Sequence, residues 1–341
     1  MTAQALANPD KSKRWRRVAD LLLSRGAMRG AAIVCIVVCV VALFAEFIAS
    51  DLPIVLEFHG HLYLMPNLFN PPELRIFDAR LLIEHMNPDD WAIFPVVPWG
   101  YNTHDLNNVL APPSALHWLG TDAAGRDVLS RLVYGARVSL TVGLLSVVLL
   151  VAIGMTLGTI AAYFGGWVDT LLMRIVEVVH SIPTILLLVT ILAVVAPQGF
   201  SAVLAIAVVI GAVRWTDVAR LIRGEVLRVK TLDYVLAARA AGANSRRIIF
   251  QHVLPNASSP VLVSATFALA AAILIEGALS FLGFGIPDDM ASWGGLLNGV
   301  RDDVQAWWLA VFPGGAMFLT VTAFNVLGEG VRDAVDPRLR T

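Results

Sequence analysis

Four ionisable side chains set inside long apolar stretches, Arg174, Glu177, His180 and Glu276, are the groups in this sequence best placed to do chemistry, with Glu46 further upstream. Such groups are costly in an apolar span and face a protein interior, a partner charge or a wet path. Arg174, Glu177 and His180 recur every third residue; at about 100° per residue successive positions drift by about 60°, so the three occupy one broad helix face. Two readings stay open: the face lines a route through the protein, or Arg174 pairs with Glu177 while His180 bonds to a neighbouring helix. A second set, Gly120, Thr121, Asp122, Gly125, Arg126 and Asp127, has the composition of a tight turn in which carboxylates and arginines satisfy backbone groups. Metal chemistry is not indicated. His59 and His61 are two apart in a polar segment, and Cys35 and Cys39 lie four apart in an apolar one, which suits packing. The lysines are Lys11, Lys13 and Lys230, and none follows a glycine, so the lysine of a phosphate-binding loop is missing. The sequence therefore predicts no catalytic residue, no cofactor held by this chain and no nucleic-acid partner.

The elements that must hold these groups are membrane helices. Of 341 residues, 57% are hydrophobic and 15% charged, and the mean hydropathy is +0.72; the solvent for such a chain is lipid. About 20 residues cross the roughly 30 Å of hydrocarbon. Spans are predicted at 31–50, 138–163, 171–196, 201–221, 258–281 and 307–327. The first is too long for a signal-peptide core and follows a basic segment, so it reads as an uncleaved span. Pro183 should kink the third, and Gly283, Gly285, Pro313, Gly314 and Gly315 should loosen others.

Orientation follows from the basic residues. Lys11, Lys13, Arg14, Arg16, Arg17, Arg25 and Arg29 precede the first span, and Arg220, Arg223, Arg228, Lys230, Arg239, Arg246 and Arg247 fill the fourth connection. The positive-inside rule puts both in the cytosol, and six spans put both termini there. The chain then divides into a basic tail (1–30), a first helix (31–50), an outer loop (51–137), a five-helix core (138–327) and a cytosolic tail (328–341). The outer loop is acidic and rich in proline and aromatics; at about 85 residues it is too long to lack structure, and its Leu62 to Met65 and Trp91 to Phe94 runs read as short strands or packed extended segments.

One exposed element remains, at 233–255. Asp233 to Gly242 is built of helix formers and stops at a glycine able to take the left-handed conformation. Asn244 or Ser245 can cap a second short helix, which Pro255 limits. A short, stiff, exposed element of this kind can plug into another protein and carry its motion to two spans. The alternative is an interfacial anchor held by its basic face.

Tyr234-Val-Leu-Ala-Ala-Arg-Ala-Ala-Gly-Ala-Asn244, followed by Ile248-Ile-Phe-Gln-His-Val-Leu-Pro-Asn256, resembles the cytosolic signature of bacterial ABC importer permeases. Ala237, Ala238, Gly242, Leu254 and Pro255 match the pattern, whereas Leu236 replaces its glutamate. The segments 119–137, 173–183, 280–287, 292–294 and 328–337 resemble the peptide/nickel branch, second-permease type, and the long outer loop resembles its microcin C/oligopeptide members. The resemblance implies an all-α protein of the bacterial inner membrane with type I importer architecture. It implies that Leu236 to Pro255, His252 included, couples to two cytosolic ATPases that carry ATP and Mg, beside a second permease and an outer substrate-binding protein. With Leu236 in the glutamate's place, docking should lean on shape and on Arg239, Arg246 and Arg247. Two rivals carry different tests: an ion-driven carrier would use Glu177, His180 and Glu276 as a relay, and a scaffold or receptor would work through the outer loop. Peptide, microcin-like peptide and nickel chelate are not separated by the sequence.

Overall fold

The computed structural model describes residues 26–195, 200–301 and 303–335. The basic cluster from Lys11 to Arg25 lies outside these residues, as does the end of the chain from residue 336.

The apolar runs form α1 (Gly26–Leu43), α2 (Val128–Phe164), the pair α3 (Gly166–Ser181) and α4 (Thr184–Val195), and α5 (Phe200–Val229). A short helix α6 (Asp233–Ala240) follows, then α7 (Ser259–Phe281), α8 (Trp293–Asn298) and α9 (Trp308–Val335). Five of these are long and apolar enough to cross a membrane, or six if α3 and α4 count as one broken span. The predicted third span is thus not a kinked helix but two helices bent by 88°. Pro183 lacks the N–H that would continue the ladder and disfavours helical backbone at Ile182, which is extended at ψ 130°. Pro313 behaves differently: it sits near the start of α9, inside a continuous helix.

Several helices extend past the apolar runs. Among the described residues α1 covers Gly26–Leu43, reaching into the predicted tail but stopping short of the predicted end at 50, and α9 covers Trp308–Val335, passing the predicted boundary at 327. α2 has 37 residues, which at 1.5 Å each is about 55 Å, well beyond the hydrocarbon thickness. Hydrophobicity marks only the lipid-facing part of a helix; the backbone ladder runs on where no residue interrupts it.

α2 and α5 form the central pair, with α7 against α2 and α9, and α1 against α9. The crossing of α2 and α5 depends on small residues. A Cβ built at Gly158 would come within 2.4 Å of the Ala219 carbonyl oxygen, and one at Gly154 within 2.7 Å of that of Trp215. Close backbone approach of this kind replaces the hydrophobic drive that lipid does not supply.

The segment before α2 folds as a cap. β1 (Val55–Phe58) pairs antiparallel with both β2 (His61–Leu64) and β3 (Trp91–Ile93), with Val55 opposite Leu64 and Ile93. Leu52, Leu56, Phe58, Leu74 and Leu82 form its core. The two runs read as extended from sequence are the outer strands; the middle strand, β1, was not among them.

Candidate functional site

The exposed element at 233–255 is fastened to the membrane helices by one side and open on the other. Val235, Ile248, Val253 and Ala257 are buried in a cluster with Ala162 of α2 and Val226 and Val229 of α5. Lys230 donates from Nζ to the Ala162 carbonyl at 2.6 Å, placing a cation at the carbonyl end of α2, where the helix dipole favours it.

The two-part form read from the sequence is present. Gly242 has φ +83°, and around it the Gly242 amide donates to Arg239 O at 3.0 Å and the Ala243 amide to Ala238 O at 3.1 Å. That pairing closes a helix through a left-handed residue. Asn244, not Ser245, caps the second part, its Oδ1 accepting from the Arg247 amide at 2.9 Å.

Pro255 does not end that second helix. The chain passes from Ser245–Arg247 through a π-turn at Ile248–Val253 into Leu254–Ala257 and then α7. The wider turn carries the helix past a proline that has no N–H to give to the preceding turn.

On the open side Leu232, Tyr234, Leu236 and Phe250 are exposed, Phe250 at 63%. Ala237, Gly242, Arg246 and Pro255 are exposed with them, while Ala238, His252 and Leu254 are partly buried. Two of the arginines expected to dock are engaged within the chain: the Arg239 guanidinium lies 5.7 Å from the centroid of the Tyr163 ring, and Arg247 donates from Nε to Gln251 Oε1 at 3.1 Å.

Asp169 and His180 of the bent helix meet α5, while Arg174 and Glu177 pair with each other on α3. Arg174 donates to Glu177 at 2.6 Å, and His180 Nε2 lies 3.4 Å from Asp217 Oδ1. Asp217 also accepts from Arg214 Nε at 2.9 Å, and Arg223 grips Asp169 through two contacts of 2.6 Å. Arg214 and Asp217 lie within the predicted fourth span and were missed; their spacing of three, inside an apolar run, was the available signal.

Glu276 is elsewhere. It is fully buried in α7 and accepts hydrogen bonds from Ser139 of α2 and Ser280, each at 2.8 Å. The proposed relay of Glu177, His180 and Glu276 therefore has its members in different surroundings.

The turn at 120–127 ties the cap to the membrane helices. Asp122 Oδ1 accepts from the amides of Ala124 and Arg126, each at 2.9 Å, and its Oδ2 from Arg126 Nε at 2.8 Å. Arg126 reaches the Asp288 carbonyl at 2.6 Å. Thr121 Oγ1 accepts from the Ala111 amide at 2.8 Å, and its carbonyl from Trp308 Nε1 at 3.0 Å. Gly120 and Gly125 take φ +81° and +73°, a region that L side chains seldom adopt. Asp127 caps α2 by accepting from the Ser130 amide at 2.8 Å.

Behind Asp127 lies a buried chain that sequence reasoning did not find. His117 Nδ1 is 2.9 Å from Asp127 Oδ2, His117 Nε2 is 3.3 Å from Asp105 Oδ2, and Arg80 holds Asp105 at 2.9 Å. Burial opposes the charged form of Asp105, but hydrogen bonds from Asn108 and His117 and the nearby Arg80 guanidinium outweigh it and hold the carboxyl below its ordinary value.

Against this geometry, residues 154–341 match the family model of the binding-protein-dependent transport system inner membrane component. The chain belongs to that family. The permease is 42% identical over 242 residues to the dipeptide transport system permease protein of Alkalihalophilus pseudofirmus, covering 71% of this chain and 78% of that one. It is 41% identical to the glutathione transport system permease protein of Pectobacterium atrosepticum (74% and 82% covered) and 40% to the oligopeptide transport system permease protein of Bacillus subtilis (71% and 78%). Its fold is similar to an inward-facing structure of the MetNI methionine ABC transporter, with a TM-score of 0.51 at 20% identity, over 60% of this chain and 96% of that one. The permease is thus an inner-membrane protein of the ABC importer class with an all-α membrane part, as the sequence motifs implied, its strands confined to the cap. The exposed loop element lies within the matched range, and the cap before it.

Proposed function

We propose that this permease forms half of the translocation path of an ATP-driven peptide importer and takes its power stroke through the 233–255 element. The observation that carries the reading is the two-sided build of that element. Its inner face is locked into α2 and α5 by Val235, Ile248 and Val253, while its outer face presents Tyr234, Leu236 and Phe250 to a partner. An apolar surface of this kind on a loop is a docking surface, and rigid attachment to two helices lets a displacement of the partner move them.

The basic loop end faces the cytosol and the cap faces outward. The partners are two ATPase subunits at the loop end, which bind ATP and Mg, a second permease completing the path, and a binding protein on the cap side. Leu236 in place of a carboxylate makes docking a matter of shape more than of charge, the more so because Arg239 and Arg247 are engaged at home. Peptides are the substrate class, from the dipeptide and oligopeptide permeases to which the chain is similar.

The test is uptake into proteoliposomes. Accumulation of a short peptide should require ATP, the ATPases and the binding protein together. Uptake by this chain alone, driven by a proton gradient, would overturn the reading in favour of an ion-driven carrier.

A further inference from the structure

Where the bent helix meets α5, cationic charge exceeds what the carboxylates use. Arg174 pairs with Glu177 at 2.6 Å, Arg223 with Asp169 at 2.6 Å, and Arg214 with Asp217 at 2.8 Å. Arg220 reaches Asp217 only at 3.6 Å, and that carboxylate already holds Arg214 and has His180 at 3.4 Å. These four guanidinium groups share three carboxylates, and Arg220 is the least compensated. Its side chain is 56% exposed. It lines, with Glu177, His180, Ser181 and Arg223, a cavity of about 600 Å3, within the range of small-molecule sites.

Each neighbour narrows what this cavity can hold. Glu177 is neutralised by Arg174 and Asp217 by Arg214, so neither repels an incoming anion strongly. A guanidinium presents parallel N–H donors that match a carboxylate in geometry and charge. Asp217 lies 17 residues along α5 from Phe200, which is about 26 Å of helix rise, so the site is far from the cap end and near the loop end of the membrane. A group leaving the membrane domain at the loop end meets it late in its passage.

We propose that Arg220 forms a carboxylate-binding subsite in this cavity, taking the C-terminal carboxylate of a peptide in transit. The inference rests on the peptide-permease reading above.

The assembled transporter, reconstituted with wild-type or R220Q permease, is assayed for ATP-driven uptake of trialanine and of trialanine amide. R220Q should lower trialanine uptake about tenfold, the scale of one lost charge-assisted hydrogen bond, and leave amide uptake unchanged, with R220K restoring part of the loss. A second readout is independent of the binding protein's own preference: with C39A removing the exposed native thiol, a cysteine introduced by S181C should be shielded from a water-soluble maleimide by trialanine, and not in R220Q. Equal loss for both peptides, or unaltered uptake with unaltered shielding, would overturn the subsite. A wild-type complex that imports neither peptide would instead overturn the peptide reading, and the subsite with it.

Discussion

The amide of Ala243 reaches back to the carbonyl of Ala238 at 3.1 Å, a closure that exists because Gly242 between them stands at φ +83°. This turn sets the angle between the two halves of the exposed loop, and with it the direction in which Leu236 and Phe250 point.

Replacing Gly242 with valine should therefore disturb coupling more than folding. The left-handed conformation costs an L residue roughly 1–2 kcal/mol, more for a β-branched one, while a Cβ there meets no atom within 4 Å. The variant should reach the membrane in near-normal amount, with transport per ATP hydrolysed falling several-fold. Transport at the wild-type ratio would count against a rigid turn.

The α2–α5 crossing should tolerate no side chain. Gly158→Leu drives a Cβ toward the Ala219 carbonyl, 2.4 Å away, and forces the two central helices apart. The purified complex should lose several degrees of thermal stability or fail to accumulate; a melt equal to wild type would show that the helices can separate freely.

Glu276 should behave as a knot between helices. Glu276→Ala leaves the Ser139 and Ser280 hydroxyls without their acceptor in a fully buried site, at a cost of about 1–3 kcal/mol for each group left unsatisfied. Glu276→Gln keeps a carbonyl acceptor and should lose much less. Thermal unfolding of the two variants side by side checks this, and indistinguishable melts would contradict it.

The cap carries a defined pH dependence. The carboxyl of Asp105 is held below its ordinary value by Asn108, His117 and Arg80 against the opposing effect of burial. A carboxylate lowered on folding contributes stability that is full above its unfolded pKa of about 3.9 and is lost as pH falls through the folded value. Cap unfolding, followed by protease sensitivity between residues 51 and 127, should rise below about pH 4 in wild type. Asp105→Asn should start less stable at neutral pH and change less on acidification; an unchanged acid profile would remove Asp105 as its source.

Much of this was legible in sequence because its signals are local. Apolar length placed the spans, Gly242 with Asn244 or Ser245 divided the loop into two halves, and Pro183 marked the position of the break. The size of that break, 88°, was not legible, since a proline fixes where a ladder fails but packing fixes the angle. Pro255 misled in the other direction: a π-turn carried the helix through it. The His117 chain escaped because its members come together only in the fold, Asp105 and Asp127 being twelve and ten residues from His117; Arg214 and Asp217 were signalled by their spacing of three, but the meeting of Asp217 with His180 across two helices was not.

The central claim is that the outer face of the 233–255 loop is the ATPase dock. Leu236 and Phe250 are 47% and 63% exposed, so aspartate at both should leave this chain's own fold intact. Copurification of the assembled transporter with the L236D/F250D variant measures the claim directly. The second permease should stay bound while the ATPase subunits are lost and ATP-driven uptake stops. Full retention of the ATPases with undiminished uptake would contradict the account.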